Sequence, residues 1–174
     1  MNTATVRKGA GERHEGAGQE IRQYVTFMIA NESYGVPVLK VQEIIGMTEI
    51  VPVPDSLDFI KGVINLRGSV VPVVDMRKRF HMEEREYDMF TVIIIVEVKD
   101  LPVGMIVDSV SDVVDLSQAD IHGTPHFTAK IDTDFIQGIG QINNKLAIIL
   151  DIDRIFSAEE IKNMEQEDTV QDRP

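Results

Sequence analysis

Short apolar runs separated by polar residues follow one another along most of the chain. In residues 24–29 (YVTFMI) the side chains alternate, and short runs rich in aromatic and β-branched residues are typical of β-strands. Residues 89–98 (MFTVIIIVEV) are the most apolar stretch, which predicts a central strand buried on both faces. Residues 39–45 fit either a short helical turn or a strand. Further strands are predicted at residues 34–38, 62–66, 70–74, 103–107 and 146–152.

The strand pattern occurs twice. The first copy, residues 59–80, reads FIKGVINLRGSVVPVVDMRKRF, and the second, residues 135–156, reads FIQGIGQINNKLAIILDIDRIF. Laid together without gaps, the two copies share phenylalanine, isoleucine, glycine and aspartate at the same places. Upstream, residues 35–45 align in the same way with residues 104–114. An internal repeat of this kind predicts two similar all-β halves.

The hairpin inside each copy differs at its tip. The first copy carries Arg67 and Gly68 where the second has Asn143 and Asn144. Glycine tolerates the positive φ that tight hairpin turns require. A guanidinium at such a tip can hold a carboxylate or a backbone carbonyl, and an exposed, inert arginine is the alternative. Pro72 in the returning strand cannot donate to a ladder, so this strand is expected to lie at an edge or to be bulged there.

Strands at short, regular spacing predict small barrels or sandwiches, and the duplication predicts two of them. We expect the halves at about residues 21–84 and 85–157. Each half is small for an independent core, so the halves are expected to share apolar surface, with exchange of strands between them left open. Residues 1–20 lack apolar periodicity and are expected to form a disordered tail. Residues 158–174 are expected to form a short helix and an acidic tail.

Composition narrows the class of protein. The 174 residues include 29 acidic and 17 basic side chains, for a net charge of −12, which disfavours a nucleic-acid partner. The absence of cysteine excludes disulfides and thiolate metal sites. No apolar run is long enough to span a membrane, so no direct membrane insertion is expected, and the N-terminus does not read as a signal peptide. A cytoplasmic location is the simplest interpretation.

No pattern in the sequence predicts a catalytic, metal or cofactor site. His122 and His126 are four residues apart, but Gly123 and Pro125 lie between them, so a solvated loop is expected rather than a metal site. The phosphate-binding and nucleophile motifs of common enzymes do not occur. The sequence therefore favours a binding module over an enzyme.

Two sets of aspartates call for an interpretation. Asp108, Asp112 and Asp115 would line one face if this stretch were helical, where a solvated face is expected and a catalytic or ion site is the alternative. Asp75 and Asp151 recur at equal places in the two halves. A residue kept in both copies is expected to make a turn or a cap.

Most of the chain resembles the CheW coupling proteins of bacterial chemotaxis. The stretches that carry the resemblance are residues 23–46 (QYVTFMIANESYGVPVLKVQEIIG), the first repeat copy and residues 104–117 (GMIVDSVSDVVDLS). The resemblance implies two five-stranded, SH3-like β-barrels packed together, with short helices. It also implies a non-enzymatic adaptor, without cofactor, that links the cytoplasmic tip of methyl-accepting chemoreceptors to the histidine kinase CheA. The regulatory domain of CheA is itself CheW-like.

The same resemblance implies where partners bind. The family's receptor-binding groove lies between the barrels, and the positions that match it are Val41, Glu43, Ile44, Arg67 and Val92. An apolar groove could accept the apolar stripe of a helical hairpin, with charges at the rim fixing the register. For Val41 and Ile44, ordinary core packing is the alternative. The positions that match kinase-coupling or structural residues of the family are Gly62, Gly68, Gly104 and Val113.

Two other readings stay open from the sequence. The chain could be a CheW-like module of a larger chemotaxis protein, such as CheV or CheA itself. In a different class, it could be a hydrolytic enzyme that uses Asp108 with Asp112 or His122 with His126.

Overall fold

The computed structural model describes residues 20–123 and 135–171. The tail expected at residues 1–20, except for Glu20, and residues 172–174 lie outside this part of the chain. The described strands are β1 (Ile21–Ile29), β2 (Glu32–Pro37), β3 (Val41–Gly46), β4 (Ile60–Leu66), β5 (Ser69–Asp75), β6 (Val92–Val98), β7 (Leu101–Val107), β8 (Ser109–Ser117), β9 (Ile121–His122), β10 (Ile136–Ile142) and β11 (Lys145–Leu150). The α-helices are α1 (Met76–Arg79) and α2 (Ala158–Gln171).

The described strands form two sheets, which confirms the all-β prediction. Sheet I has five strands in the order β3-β6-β7-β5-β4, and sheet II has six in the order β8-β1-β2-β11-β10-β9. The sheets do not coincide with the two halves of the sequence. Strands β1 and β2, from the first half, belong to sheet II, and β6 and β7, from the second half, belong to sheet I. Each sheet therefore mixes strands from both repeats.

Strand β6 is buried on both faces, as its composition predicts. Ile93 and Ile95 face the inside of the barrel that sheet I forms. Ile94 and Val96, on the other face of the strand, pack into a core that lies between the two sheets. We call the latter the central core, because residues of both sheets contribute to it. The strand begins at Val92 rather than at residue 89, since Met89 and Phe90 lie in a tight turn with exposed side chains.

The hairpin tips have the predicted turn geometry. Arg67 and Gly68 both have positive φ, of 52° and 91°, and so do Asn143 and Asn144, of 49° and 67°. Such two-residue turns match the twist of the flanking strands. Strand β5 pairs with β7 only beyond Pro72, so the proline lies where the strand has a neighbour on one side only.

The stretch left open at residues 39–45 contains both of its alternatives, a 3-10 turn at Val38–Lys40 followed by β3. Its counterpart in the second half is strand β8, so the helical interpretation of Asp108, Asp112 and Asp115 is wrong. The chain is extended there because β8 forms a long antiparallel ladder with β1, and this pairing overrides the helix-like spacing.

Each sheet closes where the segment that precedes a hairpin pairs with the first strand of that hairpin. In sheet I, Val51 and Val63 exchange two backbone hydrogen bonds of 2.9 Å. In sheet II, β9 crosses β10 in the same way. Gly62 and Gly138 lie at these crossings, and a Cβ at either position would lie closer than 3.0 Å to the backbone carbonyl oxygen of Val51 or His122. The repeated glycine therefore lets the crossing strands approach.

The repeats meet in a pseudo-symmetric aromatic contact. Phe59 packs on Phe156 with ring centroids 5.7 Å apart, and Phe80 packs on Phe135 at 5.1 Å. In the repeat, Phe59 corresponds to Phe135 and Phe80 corresponds to Phe156. The repeat therefore converts one of the two ring contacts into the other. The halves thus associate as two copies do across a twofold axis.

One arginine breaks this symmetry. The guanidinium of Arg79 lies 5.5 Å from the ring centroids of Phe59 and Phe135, and it donates a hydrogen bond to the carbonyl of Ile155. Ile155 is the residue that takes the place of Arg79 in the second copy. Helix α2 covers this region and buries Ile161 in the central core.

The repeated aspartates are caps, as predicted. Asp75 accepts a hydrogen bond from the backbone N–H of Arg77 at the start of α1. Asp151 accepts one from the N–H of Asp153, at the start of a 3-10 turn.

Candidate functional site

Strand β3 lies at the edge of sheet I. Ile44 lies opposite Ile94 of β6, and Gly46 lies opposite Val92. Because directly opposite residues project from the same face of a sheet, Ile44 and Val92 share the face that carries the central core. Val41 shares this face too, since it lies opposite another core residue. We call Val41, Ile44 and Val92 the apolar strip.

The members of the strip differ in exposure. Val41 and Val92 are half-buried and pack against the central core, whereas Ile44 is 41% exposed. The alternative of ordinary core packing therefore holds in part for Val41 but not for Ile44. The strip has a buried base and one open aliphatic side chain, which an apolar partner could cover.

The two charged residues of the predicted groove form an ion pair. Nη1 and Nη2 of Arg67 donate to the two carboxylate oxygens of Glu43 over 3.0 and 3.1 Å. The hydrogen bonds to this carboxylate raise the pKa of Arg67 above its usual value. Asn65 supports the turn by accepting a hydrogen bond from the N–H of Gly68. Arg67 is thus held at the hairpin tip by an exposed ion pair with Glu43.

The strip and the ion pair lie on opposite faces of β3. Glu43 lies opposite Ile95, which faces the interior of sheet I, whereas Ile44 lies opposite Ile94 on the other face. The five predicted receptor-binding residues are therefore brought to one edge strand and its surroundings, but not into one continuous cluster. Consecutive residues of a strand project to opposite faces, so alternation separates Glu43 from Ile44, and the register of β3 on β6 shows which face carries the central core.

Of the predicted kinase-coupling or structural residues, two glycines are buried among other residues. Gly62 has φ of +152° and faces the backbone of Val51. A Cβ on Gly104 would lie 2.8 Å from the side chain of Ile93. Gly68, by contrast, is at the exposed hairpin tip, with open space where a Cβ would lie.

Val113 differs from these glycines because it is a surface residue. It is 54% exposed on β8 and lies opposite Val25 of β1. The repeat makes Val113 the counterpart of Ile44, since β8 takes the place of β3 and both strands carry a bulge two residues earlier. Each barrel therefore presents one exposed aliphatic residue on an equivalent outer strand.

Sequence reasoning missed a largely buried ion pair at the junction of the sheets. Arg77 on α1 donates to Asp108 through Nε and Nη2, over 3.1 and 2.7 Å, and both side chains are less than a fifth exposed. Asp108 also accepts from the backbone N–H of Ala30, in the β1–β2 turn. Burial works to raise the pKa of Asp108, but the bonds from Arg77 and Ala30 outweigh it and hold this pKa below its usual value.

The second half repeats this arrangement with the charges exchanged. Asp153, which takes the place of Arg77, accepts a hydrogen bond of 3.0 Å from Lys40. It also accepts from the N–H of Lys99 in the β6–β7 turn. In each case a carboxylate accepts a hydrogen bond from the backbone of a strand-to-strand turn, Asp108 from the β1–β2 turn and Asp153 from the β6–β7 turn. The two carboxylates do not occupy equivalent positions of the repeat. The repeated turns could have pointed to this site, but the exchanged charges conceal it.

The candidates for enzyme or metal chemistry do not converge. Asp108 is engaged by Arg77, and Asp112 is exposed on β8. His122 is exposed on β9, and His126 lies outside the described residues. Within residues 20–123 and 135–171, no group of three or more histidines and carboxylates is placed to hold a metal ion. No helix in that part of the chain is long and apolar enough to cross a membrane.

Two small barrels that share a core define an all-β, double-barrel protein whose equivalent outer strands are candidate binding surfaces. Residues 23–160 match the family model described as "CheW-like domain". The chain belongs to the CheW family.

Individual relatives agree with this assignment. The chain is 40% identical over 158 residues to the chemotaxis protein CheW of Klebsiella aerogenes, covering 91% of this chain and 92% of that protein. It is 37% identical to CheW of Bacillus subtilis, over 78% of this chain and 86% of that one. A crystal structure described as the scaffolding protein TtCheW of Thermoanaerobacter tengcongensis superposes with a TM-score of 0.74 at 34% identity, covering 81% of this chain and 96% of that chain.

The relationship confirms the expected fold of two SH3-like barrels. It also confirms the coarser part of the expected function, a chemotaxis scaffold or adaptor with a β-rich fold. Sheet I has the expected five strands, and sheet II adds the two-residue strand β9 as a sixth.

Proposed function

We propose that this chain is a non-enzymatic, cytoplasmic adaptor that couples methyl-accepting chemoreceptors to the histidine kinase CheA at receptor arrays. Membership of the CheW family supports the proposal, and so does the scaffold description of the related structure. The binding chemistry needs neither cofactor nor metal. Residues 21–157 act as one CheW-like domain, and the family match over residues 23–160 supports these limits.

The observation that carries the receptor part of the proposal is the exposure of Ile44 beside the half-buried Val41 and Val92. A chemoreceptor tip is a helical hairpin with an apolar stripe, and such a stripe gains free energy when it covers an exposed aliphatic side chain. The Glu43–Arg67 pair lies on the other face of the same strand, at the rim, where charges fix orientation more than they add affinity.

The kinase part of the proposal assigns CheA to a surface that includes Val113. Its exposure on β8, equivalent to that of Ile44 on β3, supports a second docking strand. Gly62 and Gly104 contribute to kinase coupling indirectly, by permitting the close approach of strands, and Gly68 contributes by forming the hairpin tip that presents Arg67.

The direct test replaces Ile44 by aspartate. A charge on the strip would lose its hydration when a receptor tip covers it, so we expect the affinity for a soluble receptor-tip fragment to fall at least about 30-fold, which is ~2 kcal/mol. Isothermal titration calorimetry measures this. Val113→Asp is the matched control, an equivalent exposed aliphatic residue on the other barrel, and should retain receptor binding while weakening CheA binding. Equal receptor affinity of Ile44→Asp and wild type would refute the receptor assignment.

A second prediction concerns Arg67→Ala. Because the ion pair is exposed, its loss should leave the denaturant midpoint of unfolding unchanged. Receptor affinity should nevertheless fall about fivefold, since the rim loses its guanidinium. Lys78→Ala is a suitable control, because Lys78 also pairs with surface carboxylates but belongs to α1 rather than to the β4–β5 hairpin tip. A lower unfolding midpoint with unchanged affinity would show that Arg67 acts only in folding.

The hydrolase alternative has less support. Asp108 is engaged by Arg77 and Ala30, and none of the hydrogen bonds that it accepts comes from a described histidine. The double variant Asp112→Asn/His122→Ala should therefore keep wild-type receptor and kinase binding, and any hydrolytic activity that it abolishes would revive the alternative.

The other alternative is a CheW-like module of a larger chemotaxis protein, such as CheV or CheA. A match of 31% identity to CheV3 of Helicobacter pylori, covering 40% of that protein, keeps this reading open. Detection of the native polypeptide by antibody distinguishes the two, since a stand-alone adaptor has a mass near 19.5 kDa and a module belongs to a larger band.

A further inference from the structure

We propose that Met89 and Phe90 form an additional apolar anchor that contacts the same receptor tip as the apolar strip and adjusts its affinity. The inference rests on the proposed function, because it assigns further contacts to that receptor-binding surface. Both side chains are largely exposed, and neither belongs to the apolar clusters of the described residues.

The exposure of the pair is the first observation. Met89 is 87% exposed and Phe90 is 63% exposed, although the next residue, Thr91, is 5% exposed. Single apolar residues on a surface are common and need no explanation. Met89 and Phe90 are two large adjacent apolar residues just before the buried strand β6, so together they expose more apolar area than a single residue does. Aromatic residues and methionine are enriched in protein–protein interfaces.

The second observation is that the pair is held on a preorganised turn. Asp88 accepts hydrogen bonds from the N–H of Phe90 and from the hydroxyl of Thr91, and its own N–H donates to that hydroxyl. Arg85 adds an ion pair of 3.1 Å to the Asp88 carboxylate. Upstream, the hydroxyl of Tyr87 donates to the buried Asp75. A fixed turn loses little conformational entropy on binding, so its apolar side chains contribute more of their burial to affinity.

The third observation is position. Phe90 is two residues before Val92, and Val92 lies opposite Gly46, two residues from Ile44. At about 3.3 Å per residue, the distance along the strands from the level of Ile44 to that of Phe90 is at most about 13 Å. On a helix, residues i and i+7 are about 10.5 Å apart along the axis. One helical stripe of two to three turns can thus reach both ends of this surface.

These dimensions point to a helix as the occupant. A helical hairpin whose apolar stripe covers Ile44 reaches the Met89–Phe90 turn two to three helical turns further along. A second copy of this chain is the competing occupant, and the experiment separates it by self-association.

The test uses the full chain with the double substitution Met89→Ser/Phe90→Ser. Leu146→Ser is the matched control, because Leu146 is 63% exposed, as Phe90 is, but lies on β11 in the other sheet. The probe is a soluble fragment of a chemoreceptor helical-hairpin tip, titrated into wild type, both variants and Ile44→Asp. We expect at least a tenfold weaker Kd for the double variant, less than a twofold change for Leu146→Ser, and unchanged unfolding midpoints for both.

The outcomes separate this inference from the proposed function. If Ile44→Asp loses binding but the double variant binds within twofold of wild type, the anchor is overturned while the receptor site stands. If wild type does not bind the fragment, the proposed function fails and the anchor with it. If sedimentation shows that wild type is a dimer and that the double variant is a monomer with unchanged receptor affinity, the occupant is a second copy of the chain, and the inference is wrong.

Discussion

Replacing Gly62 by alanine should destabilise the protein by about 3 to 5 kcal/mol. Two costs combine. A φ of +152° is strained for any residue with a Cβ, and this Cβ would collide with the carbonyl of Val51 where the barrel closes. Since domains of this size have total stabilities of about 5 to 15 kcal/mol, much of the population should unfold at modest denaturant. Urea unfolding followed by far-UV circular dichroism measures the shift.

Two other glycines provide a graded control. Gly46 has open space where a Cβ would lie, so Gly46→Ala should change stability by less than about 1 kcal/mol. Gly138 meets the carbonyl of His122 without positive φ, so Gly138→Ala should cost about 1 to 3 kcal/mol. If Gly62→Ala is no more destabilising than Gly46→Ala, strand crossing does not depend on this glycine. Receptor and CheA binding of the folded fraction would then show whether it acts in coupling instead.

Asp108→Asn should cost about 2 to 3 kcal/mol at pH 7. The asparagine could still accept from Ala30, but Arg77 would be left largely buried without its counter-charge. Asp153→Asn is the matched control from the other barrel. Asp153 and Lys40 are each 37% exposed, so its loss should cost less than about 1 kcal/mol. Equal effects of the two substitutions would contradict the assignment of Arg77–Asp108 as the stronger tie.

The pH dependence of the same variant has a definite sign. The pKa of Asp108 is lower in the folded protein than in the unfolded chain, so its contribution is complete above the unfolded value of about 4 and disappears as the pH falls through the folded value. The stability difference between wild type and Asp108→Asn should therefore be constant from pH 5 to 7 and shrink below about pH 4. A difference that grows on acidification would show that other groups dominate at this junction.

Local features were predictable where one chemical requirement decides them. The two-residue tip at Arg67 and Gly68 and the caps at Asp75 and Asp151 follow from turn chemistry. The exchange of strands between halves could only be left open, because β1 and β6 have equivalent patterns and alternation does not say which neighbour each pairs with. For the same reason the helix-like spacing at Asp108 was misleading, since pairing with β1 decides the structure of β8.

The candidate site shows the same limit. Repeat alignment and family resemblance indicate Ile44 and Arg67, but residues 39–45 fitted either a helical turn or a strand. The opposite faces of Ile44 and of Glu43, the partner of Arg67, therefore follow only from the structure. The Arg77–Asp108 pair was not predicted, because its partners are 31 residues apart and its counterpart in the other half has exchanged charges. The Met89–Phe90 turn was hidden for another reason. Its residues continue an apolar run that reads as a buried strand.

The exchange of strands has a consequence for the order of events during synthesis. Sheet I consists of β3 to β7, which are contiguous, so it can form as soon as Val107 has left the ribosome. Strands β1 and β2 are made first, yet their sheet II neighbours β8 and β11 emerge much later, several seconds later at bacterial elongation rates of about 5 to 20 residues per second. Proteolysis of stalled nascent chains should find β3–β7 protected before β1–β2. The β1–β2 hairpin is then synthesised before sheet I but completes its strand pairing after it.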